Sequence, residues 1–254
     1  WRAEHGASWE IEVDPKIGFG ELVYGSAALP ASRPENDAGF VETALAFVQA
    51  SQALHGISAS RLVFDRIVFL PLSLIDSTDK TTVRFAQEID GVPVEGGYVN
   101  VLMDTAEGSL LSVQCTGLPG LEAFDTQSSI TAEAVSALAG EQLLLDAGIP
   151  VEKISPPELV IAQIEAETSR TPLLTWRVQA SAHLDAAKLA PVSIIYSFDA
   201  KSGELIRSMD AIKHYDVSGT VQSMVTVGTQ ALHGGSAEEI KPMERPGVPN
   251  PDAK

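Results

Sequence analysis

Histidine is the residue most ready to hold a metal or carry a proton at neutral pH, and this chain scatters its five. His5, His55, His183, His214 and His233 include no i, i+4 pair, so the chain contains no His-Glu-x-x-His zinc motif with its two ligands and its glutamate base. His233-Gly234-Gly235-Ser236 has the look of an esterase oxyanion loop, but no Gly-x-Ser-x-Gly nucleophile turn accompanies it. The segments from Asp104 to Gly108 and from Asp199 to Glu204 are too short for an EF-hand calcium loop, and no phosphate loop is present. Cys115 is the single cysteine, which excludes an intrachain disulfide; its place in an alternating strand pattern fits a buried, inert thiol. The chain therefore reads as non-catalytic, with no metal or cofactor of its own.

Composition narrows the partners. The 17 basic and 34 acidic side chains give a net charge of −17. Nucleic acid and anionic membrane surfaces both demand clustered Lys and Arg, so neither is an expected partner. With 44% hydrophobic and 20% charged residues, the 254-residue chain has the composition of a soluble globular protein of one or two domains. No apolar run is long enough to span a bilayer, and Trp1-Arg2-Ala3-Glu4-His5 is neither the basic nor the apolar part of a signal peptide.

The elements that must position any site occur twice. Residues 103–113, MDTAEGSLLSV, and 198–208, FDAKSGELIRS, overlay without a gap, and each ends a pair of strand-like runs with a helix pattern upstream. Upstream of the first, Phe40, Ala44, Phe47 and Val48 recur at helical spacing, with Asp37 as the expected N-cap and Gly56 as the stop. The second helix begins at Thr131, with Ala134, Leu138 and Leu145 expected along its buried face and Gly148 ending it. Val83, Phe85 and Ile89 share a strand face with Gln87, expected as a core amide bonded to neighbouring backbone, while Pro93 calls for a turn or an edge. Trp176, Val178 and Ala180 alternate with Arg177 and Gln179, as do Val192, Ile194, Tyr196 and Phe198 with serines. Two short strands are expected at Trp9–Val13 and Glu21–Tyr24.

The expected fold is α+β, in two tandem units, each one helix packed on a curved antiparallel sheet (cystatin-like), with an extended C-terminal tail. The divisions are 1–36, N-terminal strands and loop; 37–118, the first unit; 126–212, the second unit; and 213–254, a junction and Pro/Gly-rich linker.

Gln87, Gly91-Val92-Pro93-Val94, Gly96, an apolar strand through Val101 and a hairpin centred on Gly108 resemble the FTP (fungalysin/thermolysin propeptide) domain of metallopeptidase prosegments. The helix of the second unit, the strand holding Trp176, and Asp199-Ala200 followed by Gly203-Glu204 are similar to the PepSY domain that follows it in such prosegments. One departure stands out: the family often carries a His in the strand after Gly-Val-Pro-Val, where this chain has Leu102.

The resemblance implies a propeptide: intramolecular chaperone and protease inhibitor of a secreted zinc metallopeptidase zymogen, acting in cis or in trans, in a periplasmic or extracellular setting. Zinc would belong to the partner. Inhibition would need an extended segment filling the cleft, and His214, Tyr215 and Asp216, just past the second hairpin, are the expected contact residues. Two alternatives stay open: a free-standing protease inhibitor or binding module, and an N-terminal module of a larger surface protein.

Overall fold

The stripe of Phe40, Ala44, Phe47 and Val48 forms the buried face of a 19-residue helix, and the β-branched runs around it form the strands on which that face lies. The computed structural model describes residues 1–6, 8–182 and 191–212, which fall in one unit, Trp1–Lys213. In chain order its elements are α1 (Arg2–His5), β1 (Glu10–Val13), β2 (Gly20–Ala28), α2 (Asp37–His55), β3 (Leu62–Leu70), β4 (Lys80–Ile89), β5 (Val92–Asp104) and β6 (Leu110–Cys115). Then follow α3 (Ala132–Ala147), β7 (Lys153–Ile154), β8 (Glu158–Glu165), β9 (Arg170–Ala182), β10 (Val192–Asp199) and β11 (Leu205–Asp210).

The architecture is α+β, with one helix on each of two antiparallel meanders, β3-β4-β5-β6 under α2 and β7/β8-β9-β10-β11 under α3. The meanders share one curled sheet because β5 runs for 13 residues. Its C-terminal half is flanked by β4 and β6, and its Val94 pairs in parallel with Ile161 of β8. On the far side of β6, the hairpin of β1 and β2 completes the first meander.

The repeat holds at the level of single bonds. In the first hairpin Asp104 N donates to Ser109 O and Gly108 N to Asp104 O, at 2.9 and 2.7 Å. In the second, Asp199 N donates to Glu204 O and Gly203 N to Asp199 O, at 2.8 and 2.9 Å. Each aspartate also accepts from two backbone N–H groups of its own turn, those of Ala106 and Glu107 or of Lys201 and Ser202. Those bonds hold both carboxyls below the ordinary carboxylate range; at Asp104 a bond from Thr78 contributes most. Even the irregularities coincide. Leu111 is skipped between β5 and β6, and Ile206, its equivalent, is skipped between β10 and β11.

Two local expectations need correction. The N-cap of α2 is Asn36, whose Oδ1 accepts from Gly39 N at 3.0 Å; Asp37 already lies inside the first turn, where its charge suits the helix dipole. The buried face of α3 is Val135, Ala139 and Leu143, while Ala134 is exposed, Leu138 only partly buried, and Leu145 78% exposed. The sequence AEAVSALAGEQLLLDA is apolar around most of its circumference, so two adjacent stripes fit it equally, and packing on β9 and β10 selects one.

Three clusters make the core. The first lies under α2, with Trp9, Phe85, Val99, Val101 and Met103; the third lies under α3, with Val178, Ala180, Tyr196 and Phe198. Between them sits a second cluster of Ile89, Val92, Val94, Leu118, Leu121, Ile161, Leu174 and Ala200. Cys115 is buried at the edge of the first, and desolvation pushes its thiol to about 11, so it stays protonated and inert.

His55 closes α2 from inside the first core, 1% exposed. Ile57 N donates to its Nδ1 at 3.2 Å, so Nδ1 is the bare nitrogen and Nε2 donates to Val48 O, also at 3.2 Å. Burial holds this imidazole below its ordinary value of 6.5, against a smaller opposing pull from Val48. The unfolded chain thus takes up a proton near pH 6.5 that the folded chain refuses. This part of the stability is complete above that pH and declines as the pH falls below it. Thermal melts are expected to shift downward between about pH 7 and about pH 5, and His55→Gln to flatten that slope. An unchanged slope in the variant would assign the effect elsewhere.

Candidate functional site

The motif residues of the first meander gather at its boundary with the second. Ile89 and Val92 pair across a two-residue turn in which Asp90 and Gly91 have φ 51° and 83°. Positive φ at both positions marks the tight hairpin turn that Asp-Gly favours. Arg61 Nη1 ties the turn down at 2.8 Å from Asp90 Oδ1. Pro93 comes directly after this turn, at the start of β5, where a missing donor is tolerated. Its exposed ring leaves Val92 and Val94 pointing into the second cluster. The four-residue motif therefore makes the turn and supplies two plugs for the core between the meanders.

Gln87, 2% exposed, faces the same place. Its Nε2 donates to Leu118 O at 2.6 Å and its Oε1 accepts from Leu118 N at 2.9 Å. The carboxamide thus replaces a ladder partner for the first residue of the linker, residues 118–130. A Cβ on Gly117 would come within 2.5 Å of Gln87 Oε1, and one on Gly97 within 2.8 Å of the Val94 Cβ. Both glycines are small because the amide and the valine plug need that space. Gly96, with φ 70°, presents its carbonyl to Thr116 Oγ1 at 2.6 Å.

The second meander holds the other end of that linker. Trp176 Nε1 donates to Ser128 Oγ at 2.8 Å and Ile130 O at 3.1 Å, while its ring packs against both the second and third clusters. Ala200 O, in the turn opened by Asp199, accepts from Ser129 N and Ser128 Oγ, each at 2.9 Å. A Cβ on Gly203 would meet Ile130 Cδ1 at 2.9 Å. Gln87, Val92, Val94, Trp176, Asp199 and Gly203 thus converge on one linker. Gly108 does not join them: it turns the hairpin of β5 and β6 against Pro34. His214, Tyr215 and Asp216 lie outside the described residues.

A polar seam runs beside the linker. Glu95 accepts from Arg207 Nη2 at 2.8 and 3.0 Å and from Arg177 Nη1 at 3.4 Å, while Arg177 Nη2 reaches Glu158 at 2.7 Å. Gln163 Nε2 bridges Glu95 O and Thr116 O, at 2.9 and 3.1 Å. Further along, Arg170 meets the buried Asp14 and also Glu165, which Lys16 approaches at 3.0 Å. Bonding and charge from Lys16, and charge from Arg170, hold the Glu165 carboxyl low. Together Glu21, Glu95, Gly96, Thr116, Gln163, Glu165, Arg170 and Arg207 line a cleft of about 290 Å³. No periodicity announced this seam, because its partners are separated by up to 149 positions.

The arrangement positions backbone and clamps the linker at its two ends; among the described residues no group of three or more His, Cys, Asp or Glu side chains could hold a metal. Among them, too, no helix is long and apolar enough to cross a membrane. Such a site defines a paired helix-on-sheet module.

Residues 74–114, from just before β4 into β6, match the Fungalysin/Thermolysin Propeptide Motif. No curated protein sequence matches the chain. Among solved structures, the Bacillus megaterium YpeB C-terminal domain is similar at 13% identity and a TM-score of 0.33, covering 80% of this chain and 76% of that one. An uncharacterized protein from Eubacterium rectale is similar at 11% identity and a TM-score of 0.32, covering 69% and 58%.

Proposed function

We propose that this chain is the prosegment of a secreted zinc metallopeptidase, an FTP unit followed by a PepSY-like unit, that assists folding of the peptidase and inhibits it until cleaved away. The carrying observation is the FTP match over 74–114, which includes Gln87 and the Gly91–Val94 motif. The second meander repeats the first in its helix, hairpin bonds and skipped residue, which supports a tandem prosegment over a lone module. The partner is a peptidase domain in cis or in trans, and any zinc is held there. His214, Tyr215 and Asp216 are proposed to enter the peptidase cleft.

The test is a titration of a thermolysin-type zinc endopeptidase with the purified chain. Inhibition at micromolar concentration is expected, and none at that concentration would sink the reading. The double variant His214→Ala, Asp216→Ala is expected to weaken inhibition about tenfold, the scale of one lost hydrogen bond to a charged group. Undiminished inhibition by that variant removes these residues from the cleft and leaves the prosegment role standing.

A further inference from the structure

In the gapless overlay of the two hairpins, Leu110 corresponds to Leu205, Val113 to Ser208 and Cys115 to Asp210. The ladders agree: these residues face Met103, Val101 and Val99 in one meander and Phe198, Tyr196 and Ile194 in the other. The outer edges differ. The edge of β6 is occupied by β2, running antiparallel with Val23 opposite Val113, whereas among the described residues β11 pairs only with β10.

The outer edge of β11 can be read residue by residue. Ala211 N donates to Ser193 O at 2.8 Å. Antiparallel ladders alternate, so the amides of Met209 and Arg207 also face β10, while the amide of Ser208 points outward. In the first meander Thr116 N donates to Tyr98 O at 2.9 Å, which by the same alternation aims the Val113 amide at β2. Ser208 thus presents the group that its equivalent uses to bind a strand. Beside it, Met209 and Ile206 are 51% and 36% exposed.

Among the described residues, the outer edges of β1 and β3 are defended. β1 is four residues long and carries Glu10 and Glu12. β3 leaves Val63, Phe64, Val68, Phe69 and Leu70 about half exposed, but a bulge interrupts it at Asp65, a residue ion-paired with Arg66 and Arg84.

We infer that the outer edge of β11 receives an extended strand of the peptidase domain, laid antiparallel as β2 lies on β6, with an apolar side chain opposite Ser208. This rests on the prosegment reading. β11 is the last described strand, and the chain runs on from it through residues 213–254. A peptidase carried on that continuation is held near this edge at high effective concentration.

The experiment uses the full chain and a thermolysin-type zinc endopeptidase. In the isolated chain the Ser208 amide is expected to exchange with solvent freely, and addition of peptidase to slow that exchange at least about tenfold. Ser208→Pro removes the outward donor and leaves the bonds to β10. It is expected to raise the inhibition constant about tenfold with the unfolding midpoint kept, while Ser208→Ala inhibits like the parent. Equal inhibition by the proline variant, or an unprotected Ser208 amide in the complex, overturns the assignment. So does protection in the isolated chain: independent of concentration it names the chain's own continuation as occupant, and rising with concentration it names a second copy. A parent chain that does not inhibit at all defeats the prosegment reading itself, which is a separate result.

Discussion

Replacing Gln87 with leucine is expected to lower the free energy of unfolding by about 2–5 kcal/mol, measured by chemical denaturation. Leucine keeps most of the side-chain volume, so the cavity contribution is small. What is lost is the pair of bonds to Leu118 N and O, at 2.9 and 2.6 Å, in a place where water does not reach. Each orphaned backbone group carries a desolvation cost of about 1–3 kcal/mol. Repacking offers little relief, because Gly97 and Gly117 already stand as close as a backbone can. Gln87→Glu separates the contributions. A carboxyl there can donate to Leu118 O only when protonated, and burial raises its pKa above the unfolded value. Its stability should therefore be greatest at low pH and fall as the pH rises above about 4.3. A loss below about 0.5 kcal/mol for the leucine variant would mean that something else holds the linker.

Trp176→Ala is expected to cost about 3–5 kcal/mol, since a large ring shared by two clusters leaves a void in both. Trp176→Phe keeps much of the packing but removes the indole donor that holds Ser128 and Ile130, for about 1–2 kcal/mol. The two variants together divide the contribution of the ring from that of its nitrogen. Equal losses in both would show that the N–H bonds carry the effect and the ring is incidental. If the linker is clamped from both ends, Gln87→Leu and Trp176→Phe should also be more than additive, because each leaves the other end to carry it.

Much of this fold was legible in residue spacing. Period-two alternation located β4, β9 and β10, and glycine stops ended α2 and α3 at Gly56 and Gly148, both left-handed. The gapless overlay of the two hairpins reappears as matching bonds and a matching skipped residue. Errors arose where local chemistry was degenerate. Asn36 and Asp37 are adjacent residues of similar capping strength, and α3 offers two apolar faces. The site was half legible. Gly91, Pro93 and Gly108 announce turns through backbone chemistry alone, and a Gln among Val83, Phe85 and Ile89 demands a buried partner. That the partner is Leu118, that Trp176 grips the same linker, and that Glu95 gathers Arg177 and Arg207 depend on tertiary pairing, which leaves no period in the sequence.

The clamped linker also changes how the chain ages beside a protease. Connections between repeated units are ordinarily where proteolysis begins, because an exposed, extended stretch can be drawn into a cleft without unfolding anything. Here Leu118 is bonded through both of its backbone groups, and Ser128 to Ile130 are held by an indole and a turn. Freeing both ends means breaking the buried bonds of Gln87 in one meander and the half-buried bonds of Trp176 in the other. The two ends of the linker are therefore expected to open only with the meanders that hold them, and cleavage is expected at the exposed residues between them, Gly120, Glu122, Ala123, Asp125 and Gln127.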